Sequence, residues 1–512
     1  MTSYETKGAR DCRARLAVVV LLTSLLSLTG LAVAGDAHVE QPPPEIPVDA
    51  EFTEFDASVF KPDPTYEDDG YDAEAQLDIY GGKSPIEAPR PLLELGTPFY
   101  QEGPFSEDYA FLGERNLVRP NLRVYGDLRT AVAYNDNGAS ELGLVATQIN
   151  LDIDVAITAT ERLHAFFRPL DQNGNFTRYE FAGGDSRDGF VNEFNGVPQT
   201  LFFEGDIGAL YSGFSGRYQD FDLPFAVGLV PMIFQNGIWV DDAFVGGAFA
   251  LPARNSPELD ITNFDVTFFA GFDKVTTPAI RDSAGGLADD DLDIFGIATF
   301  VEANEGYWEA GIGALVGEDQ LEDLGYNSAT VAFTRRYGGW LSNSVRGFWT
   351  FGQDPPGGVA QTADGFALLV ENSLITSQPL TLVPYFNAFV GFDKPQPLAR
   401  NAGLLKNTGI NFDTDNLTGF PKLDDTANNT FGGALGIEYL FNLDRQLVVE
   451  AAALRAFDDA AGRSAPGDQF ALGLRYQEPI ALDWIVRFDA MHGWLENSDD
   501  ISGFRIELRK KF

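Results

Sequence analysis

The stretch Ser502-Gly503-Phe504-Arg505-Ile506-Glu507-Leu508-Arg509-Lys510-Lys511-Phe512 decides the fold class. Side chains of an extended strand alternate faces with a period of two. Ser502, Phe504, Ile506, Leu508 and Phe512 therefore share one face, and Arg505, Glu507, Arg509 and Lys511 share the other. An aromatic and aliphatic face backed by charges does not suit a sandwich core. It suits a wall with hydrocarbon on one side and a wet lumen on the other. The soluble alternative is an amphipathic edge strand, and the rest of the chain discriminates between the two.

The same pattern recurs from Asn121 onward. Leu122–Tyr134 sets Val124, Leu128, Val132 and Tyr134 against Arg123, Asp127 and Arg129. In Ile149–Ala159, the residues Ile149, Leu151, Ile153, Val155 and Ile157 oppose Asn150, Asp152, Asp154 and Thr158. A turn at Thr160-Glu161 leads into Leu163, Ala165 and Phe167, opposing Arg162, His164 and Arg168. Further strands are predicted at 200–214, 218–232, 240–251, 260–272, 291–303, 307–317, 326–336, 341–352, 364–376, 379–392, 430–441, 445–456, 468–478, 481–493 and 502–512. Short turns such as Asn304-Glu305-Gly306, Tyr337-Gly338-Gly339 and Glu478-Pro479 alternate with long polar connections such as Leu170–Gln199, Asp273–Asp290 and Asp393–Asn429. That asymmetry is expected of outer-membrane barrels. The count predicts an all-β fold, a transmembrane antiparallel β-barrel of about 18 strands over residues 118–512. Sixteen is the alternative, with 218–232 and 240–251 as one strand and a folded-in loop. Either barrel is wide enough to enclose water.

The N-terminal region reads differently. Lys7, Arg10, Arg13 and Arg15 precede the apolar Leu16–Leu31 and the small residues Ala32-Val33-Ala34, the pattern of a signal peptide over residues 1–34. The chain's one cysteine, Cys12, lies inside it. Residues 35–117 form an acidic, Pro-rich arm: between 36 and 80 there are fourteen Asp or Glu against Lys61. It is expected to be a periplasmic linker, with a lumen plug or docking arm as the alternative. No later run of about 18 apolar residues occurs, which argues against helical membrane spans. The net charge of −41 excludes nucleic acid as a natural partner. With 53 Gly and 42 Phe against three Met, the composition favours strands and aromatic girdles.

Catalysis finds little support. His38 sits in the arm, His164 on a polar strand face and His492 near a loop, and no nucleophile, zinc or phosphate-loop motif accompanies them. The protein is therefore read as not an enzyme, with no cofactor and no metal. Asp171-Gln172-Asn173-Gly174-Asn175 lacks the Gly and Glu that an EF-hand loop requires, having Phe176 and Ala182 there. Asp289-Asp290-Asp291 and Asp424-Asp425 are expected to be solvated loop charge.

Charge on the inward face is more informative. By parity Arg475, Arg487, Arg505, Arg509, Arg123, Arg129, Arg162 and Arg168 point into the lumen, with His164 on the same polar face. They belong to the last three strands and to the first and third, which meet when the barrel closes. Arg facing lipid at the midplane would cost roughly 2–4 kcal/mol each. Asp127, Asp152, Asp154, Asp489 and Glu507 are interleaved with them, so the seam is either a salt-bridge lattice or a transverse field across a pore. The apolar connection Pro231–Trp239 would be a hydrophobic patch if exposed. It is expected either to pack into the wall as strand and turn or to fold inward as a constriction. In the second case Phe234 and Trp239 narrow the lumen, with Asp241 and Asp242 opposite the basic stripe.

With the leader, the alternating strands, the loop asymmetry and the terminal Phe512, the chain resembles Gram-negative outer-membrane β-barrel porins, by architecture and without a specific subfamily. Lys510 departs from the terminal pattern, whose third residue from the end is usually apolar. The resemblance implies a bacterial outer-membrane channel for passive diffusion of small hydrophilic, including anionic, solutes. It also implies contact with lipid and lipopolysaccharide, and recognition of Phe512 by the barrel-assembly machinery. A homo-oligomer and a periplasmic partner for the acidic arm are left open. The alternatives are an export or conduit barrel docking a periplasmic partner, and a structural or adhesive surface barrel.

Overall fold

The computed structural model describes residues 89–96, 108–183, 188–281, 286, 288, 291–441, 444–458 and 462–512. The leader 1–34, the arm through residue 88 (His38 included), residues 97–107 and Asp289-Asp290 lie outside the described residues.

Eighteen wall strands close a barrel among the described residues. They are β1 (Asn121–Asp136), β2 (Glu141–Ala156), β3 (Arg162–Phe167), β4 (Pro198–Asp206), β5 (Pro224–Phe234), β6 (Val240–Ser256), β7 (Ile261–Asp273), β8 (Leu292–Ala303) and β9 (Gly306–Gly317). The circuit continues with β10 (Tyr326–Tyr337), β11 (Leu341–Phe351), β12 (Asp364–Leu374), β13 (Leu382–Lys394), β14 (Thr430–Phe441), β15 (Arg445–Ala456), β16 (Gln469–Ala481), β17 (Trp484–Leu495) and β18 (Ile501–Lys511). Each strand pairs antiparallel with the next, and β18 pairs back onto β1 from Asp127↔Lys511 to Asp136↔Ser502. Closure leaves no edge strand with unpaired backbone groups.

The terminal strand presents the two faces its alternation implies. Phe504, Ile506 and Leu508 are exposed on the outside, whereas Arg505 and Glu507 are buried inside. The apolar outer surface continues around the wall through Val227, Phe249, Ile312, Trp349, Leu435 and Leu472.

Three sequence expectations are corrected. The stretch 200–214 is not one strand: β4 ends at Asp206, whose side chain caps Ala209 N at 2.8 Å and starts helix α1 (Ile207–Ser215). Segments 218–232 and 240–251 are both wall strands, which removes the sixteen-strand alternative. Within the connection 170–199, Asn175–Ala182 is itself extended and pairs with the upper half of β2, taking over from β3, which stops short of Pro169. Below the point where Phe512 pairs with Gly126, Leu93–Gly96 of the arm pairs with Asn121–Val124 and covers the remaining edge of β1.

The lumen of so wide a barrel cannot be filled by wall side chains alone. Two segments fold into it from the long-loop rim. Pairing of β4 with β5 ends at Leu229, and pairing of β6 with β7 ends at Val245, so the tip of the β5–β6 hairpin leaves the wall. The 35-residue connection 395–429 between β13 and β14 was expected to be a solvated polar loop. Instead it buries Leu398, Leu404, Leu405, Phe412 and Leu423 against inward residues such as Phe389, Leu454 and Ala471, and Leu417 against Ala131, Leu144 and Ala146. Hydrophobic burial of these side chains outweighs loop polarity.

Candidate functional site

The inward hairpin is anchored by Trp239. Its indole is fully buried and donates to Ser328 Oγ on β10 at 3.0 Å. The ring lies where a side chain on β9 would otherwise be: a Cβ at Gly311 would meet it at 2.4 Å. Phe234 stacks on Phe269 at 5.2 Å, and Gln235 accepts from Thr330 at 2.9 Å. The segment is thus strand and turn, and it also enters the lumen. Asp241 and Asp242 do not face the basic stripe. Asp242 accepts from Thr276 N and Oγ1 at 2.6 and 3.0 Å, and Asp241 pairs in register with Arg400 of the long loop. Loop-to-loop hydrogen bonding claims them because both flank the point where the hairpin meets the connections 274–281 and 395–429.

The charged seam is a single lattice. Asp489 on β17 accepts from Arg475, Arg487 and Arg505, each at 2.8 Å. Glu507 accepts from Arg129 at 2.6 Å and lies 3.4 Å from Arg509, which is 3.5 Å from Asp127. Asn150 donates to Asp127, and Gln148 accepts from Arg129. Asp415, from the inward loop, bridges the two halves: it pairs with Arg129 and, at 2.7 Å, with Arg505. Burial opposes ionisation of Asp415, but the Arg505 and Arg129 guanidiniums outweigh it and hold its carboxyl well below the usual carboxylate range. Five guanidiniums thus meet four carboxylates, so most of the stripe's charge is compensated.

The remaining predicted residues lie outside this lattice, with Arg123, Asp152, Asp154, Arg162 and His164 nearer the short-turn rim. Asp154 stands opposite Arg123 and His164 in register, but His164 bonds Glu204 on β4 at 3.0 Å and stacks on Phe202 at 4.9 Å. Arg168 lies 3.7 Å from Asp171 and over the Phe166 ring. Asp152 and Arg162 share the inward parity of β2 and β3. His492 packs edge-on against Trp494. Asp424 is not solvated: it is buried and bonded by Arg463, Thr426 and Ser464 N. Among the described residues no group of three or more His, Cys, Asp or Glu is placed to hold a metal ion.

Sequence reasoning missed two elements. The first is the loop, including Asp415 and the Asn411 amide and backbone N–H bonded to Glu450 of β15. The signal was the loop's own apolar content. The second lies across the barrel from the seam. Arg346 on β11 pairs with Glu309 of β9 at 3.1 Å and Glu371 of β12 at 2.8 Å. These line a cavity of about 330 Å³ with Asn236 of the hairpin tip, Asn343, Ser344 and Asn372. Strand parity alone would have placed all three charges inward.

No family model matches the chain, and no curated protein matches it. Solved structures do. The outer-membrane protein opdK of Pseudomonas aeruginosa aligns with a TM-score of 0.50 at 12% identity, covering 76% of this chain and 98% of that one. The same protein with vanillate aligns with a TM-score of 0.50 at 11% identity and the same coverage. OccK11 (OpdR) of P. aeruginosa aligns at 13% identity with a TM-score of 0.47, covering 76% and 96%. The likeness to opdK is one of fold, the closed 18-strand barrel.

Proposed function

We propose that the chain is an outer-membrane channel through which small hydrophilic solutes diffuse passively. One observation carries the reading: inward segments narrow a wide barrel yet leave a polar cavity between hairpin tip and wall, lined by Arg346, Glu309 and Glu371. A purely structural or adhesive barrel has no use for a water-accessible polar cavity beneath an inward hairpin. The fold shared with opdK supports the outer-membrane location. On this reading the rim with the short turns faces the periplasm.

The finer reading concerns charge. The seam carries one guanidinium more than carboxylates, and on the far wall, strands β9 to β12, the Glu309–Arg346–Glu371 group carries one carboxylate more than guanidiniums. A solute between them feels a transverse field that orients zwitterions and tilts selectivity weakly towards anions. Vanillate, the carboxylate in the opdK structure, is a fitting first probe. Planar-bilayer recording of the purified protein tests both levels. Discrete conductance steps with a weak anion preference are expected. No conductance sinks the channel, and unaltered selectivity in Arg505→Glu sinks the field while leaving the channel standing.

A further inference from the structure

Resting on the outer-membrane placement above, we infer that α1 and the turn Tyr109–Leu112 form an interfacial anchor seated in the periplasmic leaflet of the bilayer. Helix α1 carries no charged residue along Ile207–Ser215. Ile207, Tyr211 and Phe214 recur at i, i+4 and i+7 and form one exposed stripe, with Phe214 70% exposed. The other side of the helix is committed: Gly208, Ser212 and Gly213 are buried. At Gly213 a Cβ would sit 2.2 Å from Leu112 O, so the segment preceding β1 lies directly on the helix backbone. That segment contributes Phe111, 84% exposed, and Tyr109 to the same patch.

The patch sits on the outer side of the rim. On β4, Glu204 faces inward to His164, so Gly205 faces outward, as do Leu201 and Phe203. Glu161 fills the space outside Gly205, with its Oε1 3.1 Å from where a Cβ would be. Asn116 of the preceding segment donates to that carboxylate at 2.8 Å, which ties the segment to the outer rim. The patch is also continuous with the lipid-facing belt: Phe203 and Phe225 pack at 5.9 Å just above it, and Val227 and Leu201 follow higher up.

Exposed aromatic patches of this kind need an apolar cover, and the phase adjoining the belt is the bilayer. Tyrosine, with an apolar ring and polar tip, suits the headgroup level. Arg115 donates to Gly216 O at 3.1 Å and places a cation beside the end of the helix, where lipid phosphate would lie. A helix this short would not hold to a membrane alone, but both of its ends are tethered to wall strands. Phospholipid is therefore the occupant.

The chain from residue 35 onward contains no cysteine, so single labels are clean. Phe214→Cys, Phe111→Cys, Leu435→Cys and Glu305→Cys would each carry a spin label, in liposomes of phosphatidylethanolamine and phosphatidylglycerol. Relaxation by dissolved oxygen and by a water-soluble nickel chelate is then compared. Positions 214 and 111 should favour oxygen and resist nickel, as Leu435 in the belt should, while Glu305 on the same rim shows the reverse. Nickel access at 214 and 111 equal to that at 305 overturns the anchor. Shielding from both reagents also overturns it, because protein then covers the patch. Nickel access at 435 would instead overturn the membrane placement itself.

Discussion

Asp415, in the middle of the loop between β13 and β14, accepts from Arg505 of the last wall strand at 2.7 Å. The contact joins a segment expected to be solvent-exposed to the closure seam. It also makes the seam's charge balance depend on whether the loop is docked.

Asp415→Asn should therefore have two effects. It leaves Arg129 and Arg505 undercompensated, so anion preference in reversal-potential measurements should rise at least twofold. Docking should weaken by about 3 kcal/mol, the low end for breaking a buried pair, since Asp415 keeps a quarter of its side chain exposed. Faster cleavage within 395–429 by added protease would report the second effect.

The bridge should also be insensitive to pH across the physiological range. A carboxylate whose pKa is depressed on folding contributes its full stability above its unfolded value, about 4. That contribution is lost only as pH falls through the lowered folded value. Asp415 is such a group, so selectivity should be flat from pH 8 to pH 5. A change of selectivity with a midpoint near pH 6 would show that another group controls it.

Trp239→Ala removes the anchor of the inward hairpin. Truncating a fully buried aromatic costs about 3–5 kcal/mol, here borne by the docking of one hairpin. Single-channel conductance should increase and become noisier, with the barrel's heat-modifiable mobility on gels unchanged.

Gly311→Val should reproduce that phenotype from the opposite side of the contact. Its Cβ would meet the Trp239 ring at 2.4 Å, so the indole has to leave. In the double variant with Trp239→Ala the two effects should fail to add, because both act on one contact.

Glu450→Gln tests the other end of the loop. Glu450 accepts from Ile410 N, Asn411 N and the Asn411 amide, each at 2.9 Å, and from Tyr385. Losing the charge weakens these charge-assisted bonds, each worth about 1.5–3 kcal/mol. Raised protease sensitivity at 405–415 is the expected outcome, with a smaller rise in anion preference than Asp415→Asn gives, since Glu450 lies outside the seam lattice but loosening 405–415 also loosens Asp415.

Legibility differed between wall and lumen. The parity of Phe504, Arg505, Ile506 and Glu507 is a local property, because neighbours on a strand point to opposite faces whatever surrounds them. The same rule places Arg475, Arg487, Asp489 and Arg129 inward, and barrel closure brings them together. The strand expected at 200–214 failed at Asp206, where a single side-chain cap turns the chain into α1. A cap three residues from the N–H it accepts from is a weaker pattern than a long alternation.

By itself, the chain's alternating apolar and charged positions determined a β-barrel wall of about eighteen strands and the inward parity of the charged residues at its seam. The tertiary structure alone added Asp415 to the strand acids that answer those arginines and decided what occupies the lumen. Asp415 lies 90 residues from Arg505 and 286 from Arg129, and no period links them. The physical reason is that wall geometry follows from side-chain alternation within each strand. The fold of 395–429, by contrast, depends on burial against inward residues of several strands at once, including the space left at Gly473 for Asn411 and at Gly503 for Pro421. How far the basic stripe is neutralised therefore depends on one carboxylate from a loop whose own sequence carries no repeating pattern.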